Sequence, residues 1–264
     1  MTTPGARPHP LLVAPAVTGL ILLLAPVAGL VARLPWIQLP QILSAESMLP
    51  TLRLSLLTAT LTTAVSLLCG GSIGWLLART TLPGRALLRG LVTVPLVLPP
   101  VVGGIALLVA FGRNGLVGRW LDEAFGVTLP FTTAAVVLAQ TFVSMPFVVV
   151  SIEGTLRAVD RRHEDIAATL GASGWTTFRR VTLPAIVPGV VAGAVLCWAR
   201  ALGEFGATVT FAGSFPGTTR TLSLEAYAAI TGGDPRTAVV LSVLMIVVAV
   251  GVLAALRDRW LGLR

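Results

Sequence analysis

The chain has 264 residues, 55% of them hydrophobic and only 11% charged, with a mean hydropathy of +0.90. A soluble domain cannot hide that much apolar surface, whereas a polytopic membrane protein shows it to lipid. The net charge is +8, every one of the 19 basic residues is arginine, and without lysine the chain cannot form a P-loop of its own.

Crossing ~30 Å of hydrocarbon takes about 20 helical residues. Six stretches qualify: residues 11–32, 54–78, 91–111, 132–152, 185–203 and 237–256. The first follows Arg7 and could open a secretory signal, but its apolar run is longer than a signal core. It is therefore read as a span, and the whole chain, 1–264, as one membrane domain of all-α class. Near its start the third stretch carries Pro95, Pro99 and Pro100, followed by Gly103 and Gly104. Prolines free backbone carbonyls, which lipid tolerates only where they are buried in protein or line water. The stretch is either a bent pathway helix or a structural kink at the membrane edge.

Residues 157–184 separate the fourth and fifth stretches and contain HEDIAATLGASGWTTFRRVTLP. Asp160 is expected to cap a short helix reaching about Leu170, with Gly171 at its left-handed end. Ser173 is expected to cap a second short helix, closed by Pro184. Ile166, Ala167 and Leu170 share one face of the first helix. Arg161, Arg162, Glu164 and Asp165 flank that face. The small residues suit docking into a partner's cleft; an amphipathic helix lying on the membrane is the other reading.

The fifth stretch runs on into Arg200, Glu204, Phe205 and Thr208. Arg200 and Glu204 are four apart and are expected on one helical face. They are either a neutralised pair pinning the helix end or, for Arg200, an anion attractor. Glycines beside Phe205 and Phe211 would let aromatic plugs shift, which makes this region a candidate gate. The loop Gly217–Ser223 offers Thr218, Thr219, Arg220, Thr221 and Ser223, either as oxyanion donors or as ordinary solvated hydroxyls.

Six spans put both termini on one side. With them in the cytoplasm, twelve arginines lie inside: 7, 79, 85, 89, 157, 161, 162, 179, 180, 257, 259 and 264. Five lie outside: 33, 113, 119, 220 and 236. Arginines grouped in loops favour this orientation signal over a nucleic-acid surface. Cys69 and Cys197 fall inside apolar stretches, and His9 and His163 are isolated, so neither a disulfide framework nor a metal site is expected. No inverted repeat is visible, which weighs against an ATP-independent secondary transporter.

The central loop resembles the cytoplasmic motif of ABC importer permeases: Glu-Ala-Ala, three residues, Gly, nine residues, Ile, one residue, Leu-Pro. Here it reads Asp165-Ile166-Ala167, Gly171 and Val181-Thr182-Leu183-Pro184, with all spacings kept. The text PLVLPPVV, RALGEFGATVTFAG and TRTLSLEAY is similar to the molybdate/tungstate permease branch, close to the sulfate/thiosulfate permeases. The resemblance implies a type I ABC importer permease of six spans, multi-pass in the cell membrane. Glu164, Asp165, Ile166, Ala167, Ala168, Leu170, Gly171, Ala172 and Ser173 would form the coupling helix against an ATPase subunit. Pro99, Pro100, Gly103, Arg200, Glu204, Phe205 and Thr208 are pathway or gate candidates. The implied partners are an ATPase dimer that binds ATP and Mg, a second copy of this chain, and an extracytoplasmic molybdate-binding protein. The chain itself would carry no cofactor and catalyse nothing.

Overall fold

The computed structural model describes residues 10–255, and every regular element among them is helical. In chain order they are α1 (Pro10–Ala32), α2 (Leu39–Leu43), α3 (Met48–Val65), α4 (Gly71–Arg79), α5 (Arg85–Val97), α6 (Pro100–Phe111) and α7 (Gly118–Phe125). There follow α8 (Thr133–Ala158), α9 (Arg162–Thr169), α10 (Gly174–Thr177), α11 (Leu183–Leu202), α12 (Gly206–Ala212), α13 (Leu222–Thr231) and α14 (Pro235–Ala255). Arg7, His9, Leu256, Arg257, Arg259 and Arg264 lie outside the described residues.

Among the described residues, five helical runs are long and apolar enough to cross a membrane: Leu11–Ala32, Met48–Arg79, Thr133–Ala158, Gly174–Leu202 and Pro235–Ala255. The third expected span is different. It is a pair of helices, α5 and α6, meeting at 118°. Leu98 is extended (φ −66°, ψ 136°), as a residue before proline prefers, and Pro99 continues extended before Pro100 starts α6. The three prolines thus make an elbow rather than a gentle bend.

Two spans run longer than expected, and each contains a π-turn. Ser66–Gly70 forms one inside the second span, joining α3 to α4. Phe178–Thr182 forms the other, joining α10 to α11. The expectation that Pro184 closes a helix is therefore corrected. Pro184 sits in the first turn of α11, and the widened turn before it absorbs the missing donor.

α8 is the central post. α3, α4 and α11 pack along it, while α5, α6 and α12 also touch it. Glycines make the closest seams. A Cβ on Gly74 would sit 3.0 Å from the Val149 carbonyl oxygen, and one on Gly189 would overlap the Thr155 hydroxyl. Ser151 adds a 2.7 Å hydrogen bond to the Gly189 carbonyl. Close backbone approach supplies dispersion contacts where lipid offers no hydrophobic drive. α1 stands apart: it lies beside α14 and its leucines remain exposed. Outside the spans, Asp234 accepts the Thr237 amide at 3.1 Å at the start of α14. The Thr237 side chain and then its amide hold the Asp234 carboxyl below the usual carboxylate range.

Gly189→Val should lower stability by about 1–3 kcal/mol by wedging α11 off α8. Gly29→Ala on α1, with nothing within 4 Å, should leave it unchanged or slightly raised. Thermal unfolding of the detergent-purified protein reads both.

Candidate functional site

Between the end of α8 and the start of α11, α9 is built largely from local hydrogen bonds. Asp160 acts one step earlier than expected: its Oδ1 accepts the Arg162 amide at 3.0 Å in an Asx turn, and the N-cap position, Arg161, has no side-chain cap. Glu164 and Asp165 lie in the first turn, where the helix dipole favours carboxylates. At the other end Gly171 has φ +81°, the Gly171 amide donates to Ala168 and the Ala172 amide to Ala167. That is a Schellman closure, which glycine adopts at no steric cost. Ser173 then caps α10 by accepting the Thr176 amide at 3.2 Å.

α9 is fastened to two spans. Glu164 Oε1 pairs with Arg79 at 2.9 Å at the end of α4 and accepts the Thr182 hydroxyl at 2.9 Å at the start of α11. Arg161 donates toward the Ala78 and Arg79 carbonyls, which end α4. Trp75 packs edge-on to Phe178, and Trp175 stacks on the same ring. The opposite face is bare: Ile166 is 56% exposed, Leu170 82% and Trp175 69%. Asp165, Ala168, Gly171 and Ser173 are also exposed, while Ala167 and Ala172 are half-buried. α9, its C-cap and α10 thus leave three large apolar side chains exposed in one loop.

A second constellation gathers at the α5–α6 elbow. α6 and α12 cross so closely that a Cβ on Gly104 would lie 2.6 Å from Thr210 Cβ, and one on Gly206 would lie 2.8 Å from Pro100. Gly103 faces the Phe142 ring of α8. The pathway candidates Pro100, Gly103, Arg200, Glu204, Phe205 and Thr208 therefore sit around one crossing, with Pro99 at its edge. Arg200 and Glu204 do not share a helix as expected. α11 ends at Leu202, and the turn at Gly203 swings Glu204 back to meet Arg200 at 2.5 Å. Glu204 is only 1% exposed. Its Oε1 also accepts the Ala207 amide at 2.8 Å, and its own carbonyl accepts the Ser223 hydroxyl at 2.6 Å. These bonds make Glu204 the brace of the break between α11 and α12.

Phe211, expected as a movable plug, is fully buried in the core formed by α6, α8 and α12. Phe205 is partly open and packs on Tyr227 with centroids 4.7 Å apart. The hydroxyl loop is mostly spent on itself. Thr219 Oγ1 accepts the Phe215 amide at 2.9 Å, Thr221 bonds Ser223, and Arg220 donates to Ser214 at 3.1 Å. Thr219 and Thr221 are completely buried, so they cannot serve as open oxyanion donors.

Sequence reasoning missed a buried polar row. Thr51, Ser55, Thr58, Thr62 and Ser66 line one face of the second span. Ser55 accepts the Leu222 amide at 2.7 Å, and Thr62 meets Gln140 of α8 at 3.1 Å. Ser66, Ser144, Gln140 Nε2 and Thr208 are buried without hydrogen-bond partners. Steps of three and four between hydroxyls were the signal that would have found the row.

Residues 70–263 match the family model described as "Binding-protein-dependent transport system inner membrane component". The chain is 51% identical over 237 residues to the molybdenum transport system permease protein ModB of Mycobacterium tuberculosis (strain ATCC 25618 / H37Rv), covering 89% of this chain and 88% of that one. It is 33% identical over 229 residues to the sulfate transport system permease protein CysT of Escherichia coli (strain K12), covering 85% and 82%. By fold it is similar to a chain of a bacterial alginate ABC transporter crystallised with an alginate pentasaccharide-bound periplasmic protein. There the TM-score is 0.70 and the identity 16%, over 92% of this chain and 90% of that one.

Glu204→Ala should lower stability by about 3–5 kcal/mol, because it strips the brace and strands Arg200. Adding Arg200→Ala should recover part of that loss, since no unpaired charge then remains. Thermal unfolding of the two single variants and the double variant measures the coupling.

Proposed function

The chain belongs to the family of binding-protein-dependent transport system inner membrane components, and from that premise we propose that it is the permease subunit of an ATP-driven molybdate or tungstate importer. It is a multi-pass membrane protein with the type I ABC importer permease fold, and it works with an ATPase and a substrate-binding protein. One observation supports the coupling role: α9 and its C-cap leave Ile166 and Leu170 exposed, with Trp175 of α10 exposed beside them, while Glu164 ties α9 to the second and fifth spans. A helix that only rested on the membrane would have no use for such a tie.

In this proposal both termini are cytoplasmic, as the arginine count supports, and two copies enclose the pathway between them. Residues 164–173 seat in the ATPase subunit, which binds ATP and Mg. That subunit supplies the free energy; the present chain converts its motion. Displacing α9 pulls on Arg79 and Thr182 together, so the inner ends of α4 and α11 move as a unit. The motion reaches the crossing at Pro100, Gly104 and Gly206, where α6 and α12 are too tightly packed to deform gradually. Such a crossing has two packings rather than a continuum. Arg200 and Thr208 lie beside it, and Pro99 and Pro100 keep the elbow open. Selectivity belongs mainly to the binding protein, because a pathway that held a dianion tightly could not release it.

Molybdate is favoured over sulfate by the larger identity to the molybdenum permease, 51% against 33% at similar coverage. Deleting the gene in its own host, under scarce molybdate with excess sulfate, should lower cell molybdenum at least about tenfold by mass spectrometry. Normal molybdenum with reduced sulfate uptake would make it a sulfate permease. The pair Ile166→Asp and Leu170→Asp should abolish copurification with the ATPase and stop uptake, while the thermal unfolding of the permease stays the same. Retained copurification would refute the assignment of α9.

A further inference from the structure

Two turns before the end of α8, Glu153 is buried, and three arginines converge on it. Arg89 reaches it with Nε at 3.1 Å and with a closer Nη2 contact. Arg157 reaches the same oxygen at 2.8 Å, and Arg85 stands 4.0 Å away. The cluster lies on the same membrane face as α9, since Arg157 is in the last turn of α8. The transport mechanism above makes no use of it.

The arithmetic of charges and donors leaves it unfilled. Three guanidiniums against one carboxylate give +2. A carboxylate accepts about four hydrogen bonds, whereas three guanidiniums bring roughly fifteen donors. Arg85 Nε is buried without a partner. The side chains of Arg85, Arg89 and Arg157 are 30%, 40% and 43% exposed, so an outside group can reach them. One turn deeper along α5 a groove of about 150 Å³ opens between α5 and α8, lined by Leu91, Val92, Pro95, Phe142, Met145 and Pro146. The arginine cluster and the mostly apolar groove thus lie along the same pair of helices, α5 and α8.

We propose that this cluster binds the phosphate of an anionic phospholipid, with a short part of one acyl chain lying in the α5–α8 groove. Guanidiniums match phosphate oxygens in bidentate geometry. Basic pockets between membrane helices on the cytoplasmic side are suited to acidic headgroups. A free tetrahedral oxyanion shares the headgroup's chemistry, but it has no use for the groove, and that decides for the lipid. Bound there, the lipid would brace α5, the arm of the elbow that packs least on the bundle's buried core: α5 has no fully buried residue. The inference is independent of which oxyanion is imported.

Native mass spectrometry of the purified permease–ATPase complex tests it, with phosphatidylglycerol and phosphatidylcholine of equal chain length. The intact protein should retain phosphatidylglycerol in preference. The double variant Arg89→Gln, Arg157→Gln should bind it about tenfold more weakly, with phosphatidylcholine unaffected. Glu153→Gln keeps all three arginines and should bind phosphatidylglycerol at least as well as the parent. Val92→Trp should fill the groove and also weaken binding. The proposal is overturned if the double variant binds phosphatidylglycerol like the parent. It also fails if Glu153→Gln loses the lipid equally, which marks a structural ion cluster, or if excess molybdate displaces the lipid, which marks a free-anion site. Loss of the second permease copy in place of lipid would reveal a subunit contact and sink it too.

Discussion

Backbone-close packing on α8 is the constraint on which the structure depends. Lipid is as apolar as leucine, so burying leucine between helices gains little inside a bilayer. What remains is contact density and hydrogen bonding. Gly74 on one side and Gly189 on the other bring their helices against α8 at distances that no larger residue permits. Most leucines of α1 are correspondingly turned outward. The interior combines large apolar residues such as Leu77, Leu156 and Phe211 with small and hydroxyl-bearing ones at the seams.

A bundle held this way can break its helices without unfolding, provided the freed backbone groups find partners. The break after Leu202 shows how. Glu204 supplies an acceptor to the Ala207 amide, Ser223 supplies a donor to the Glu204 carbonyl, and Ser55 takes the Leu222 amide from the opposite side. The first bond is local, the second spans 19 positions and the third 167. The α5–α6 elbow uses another device, since Pro99 and Pro100 have no amide hydrogens to satisfy. The two breaks touch through Gly206 and Pro100. Irregular backbone is thereby concentrated in one crossing, while α8 beside it stays a continuous helix of 26 residues.

Much of this was legible in the chain. Length and apolarity located the spans, because a membrane crossing has a fixed thickness. Gly171 and Ser173 were readable because helix ends impose local backbone demands that few residues meet. What could not be read had a tertiary cause. The π-turn before Pro184 touches both α10 and α11, and no local pattern marks it. Glu204 sits four residues from Arg200 yet leaves the helix, because a chain turn at Gly203 is as compatible with that spacing as a helical face. The Glu153 cluster joins α5 to α8 across 64 positions, and no spacing announces it. The threonines of the outward loop looked available for anions because hydroxyl chemistry carries no mark of burial.

Where the carboxylates sit explains why α9 can act as a lever rather than a hinge. An exposed ion pair contributes little and yields easily. Glu164 is different, because one oxygen holds both the Arg79 guanidinium, itself only 9% exposed, and the Thr182 hydroxyl. Breaking either contact alone leaves a desolvated partner, so the two persist or fail together. Trp75, Phe178 and Trp175 extend the same connection in aromatic contacts, from the second span to the outer surface of the loop. A force applied at Ile166 or Leu170 therefore meets no compliant joint before it reaches α4 and α11. Both helices also seat on α8 through tight glycine seams, at Gly74 and Gly189. In the proposed coupling role, the tie at Glu164 and these seams are what would pass a displacement of α9 to both helices together.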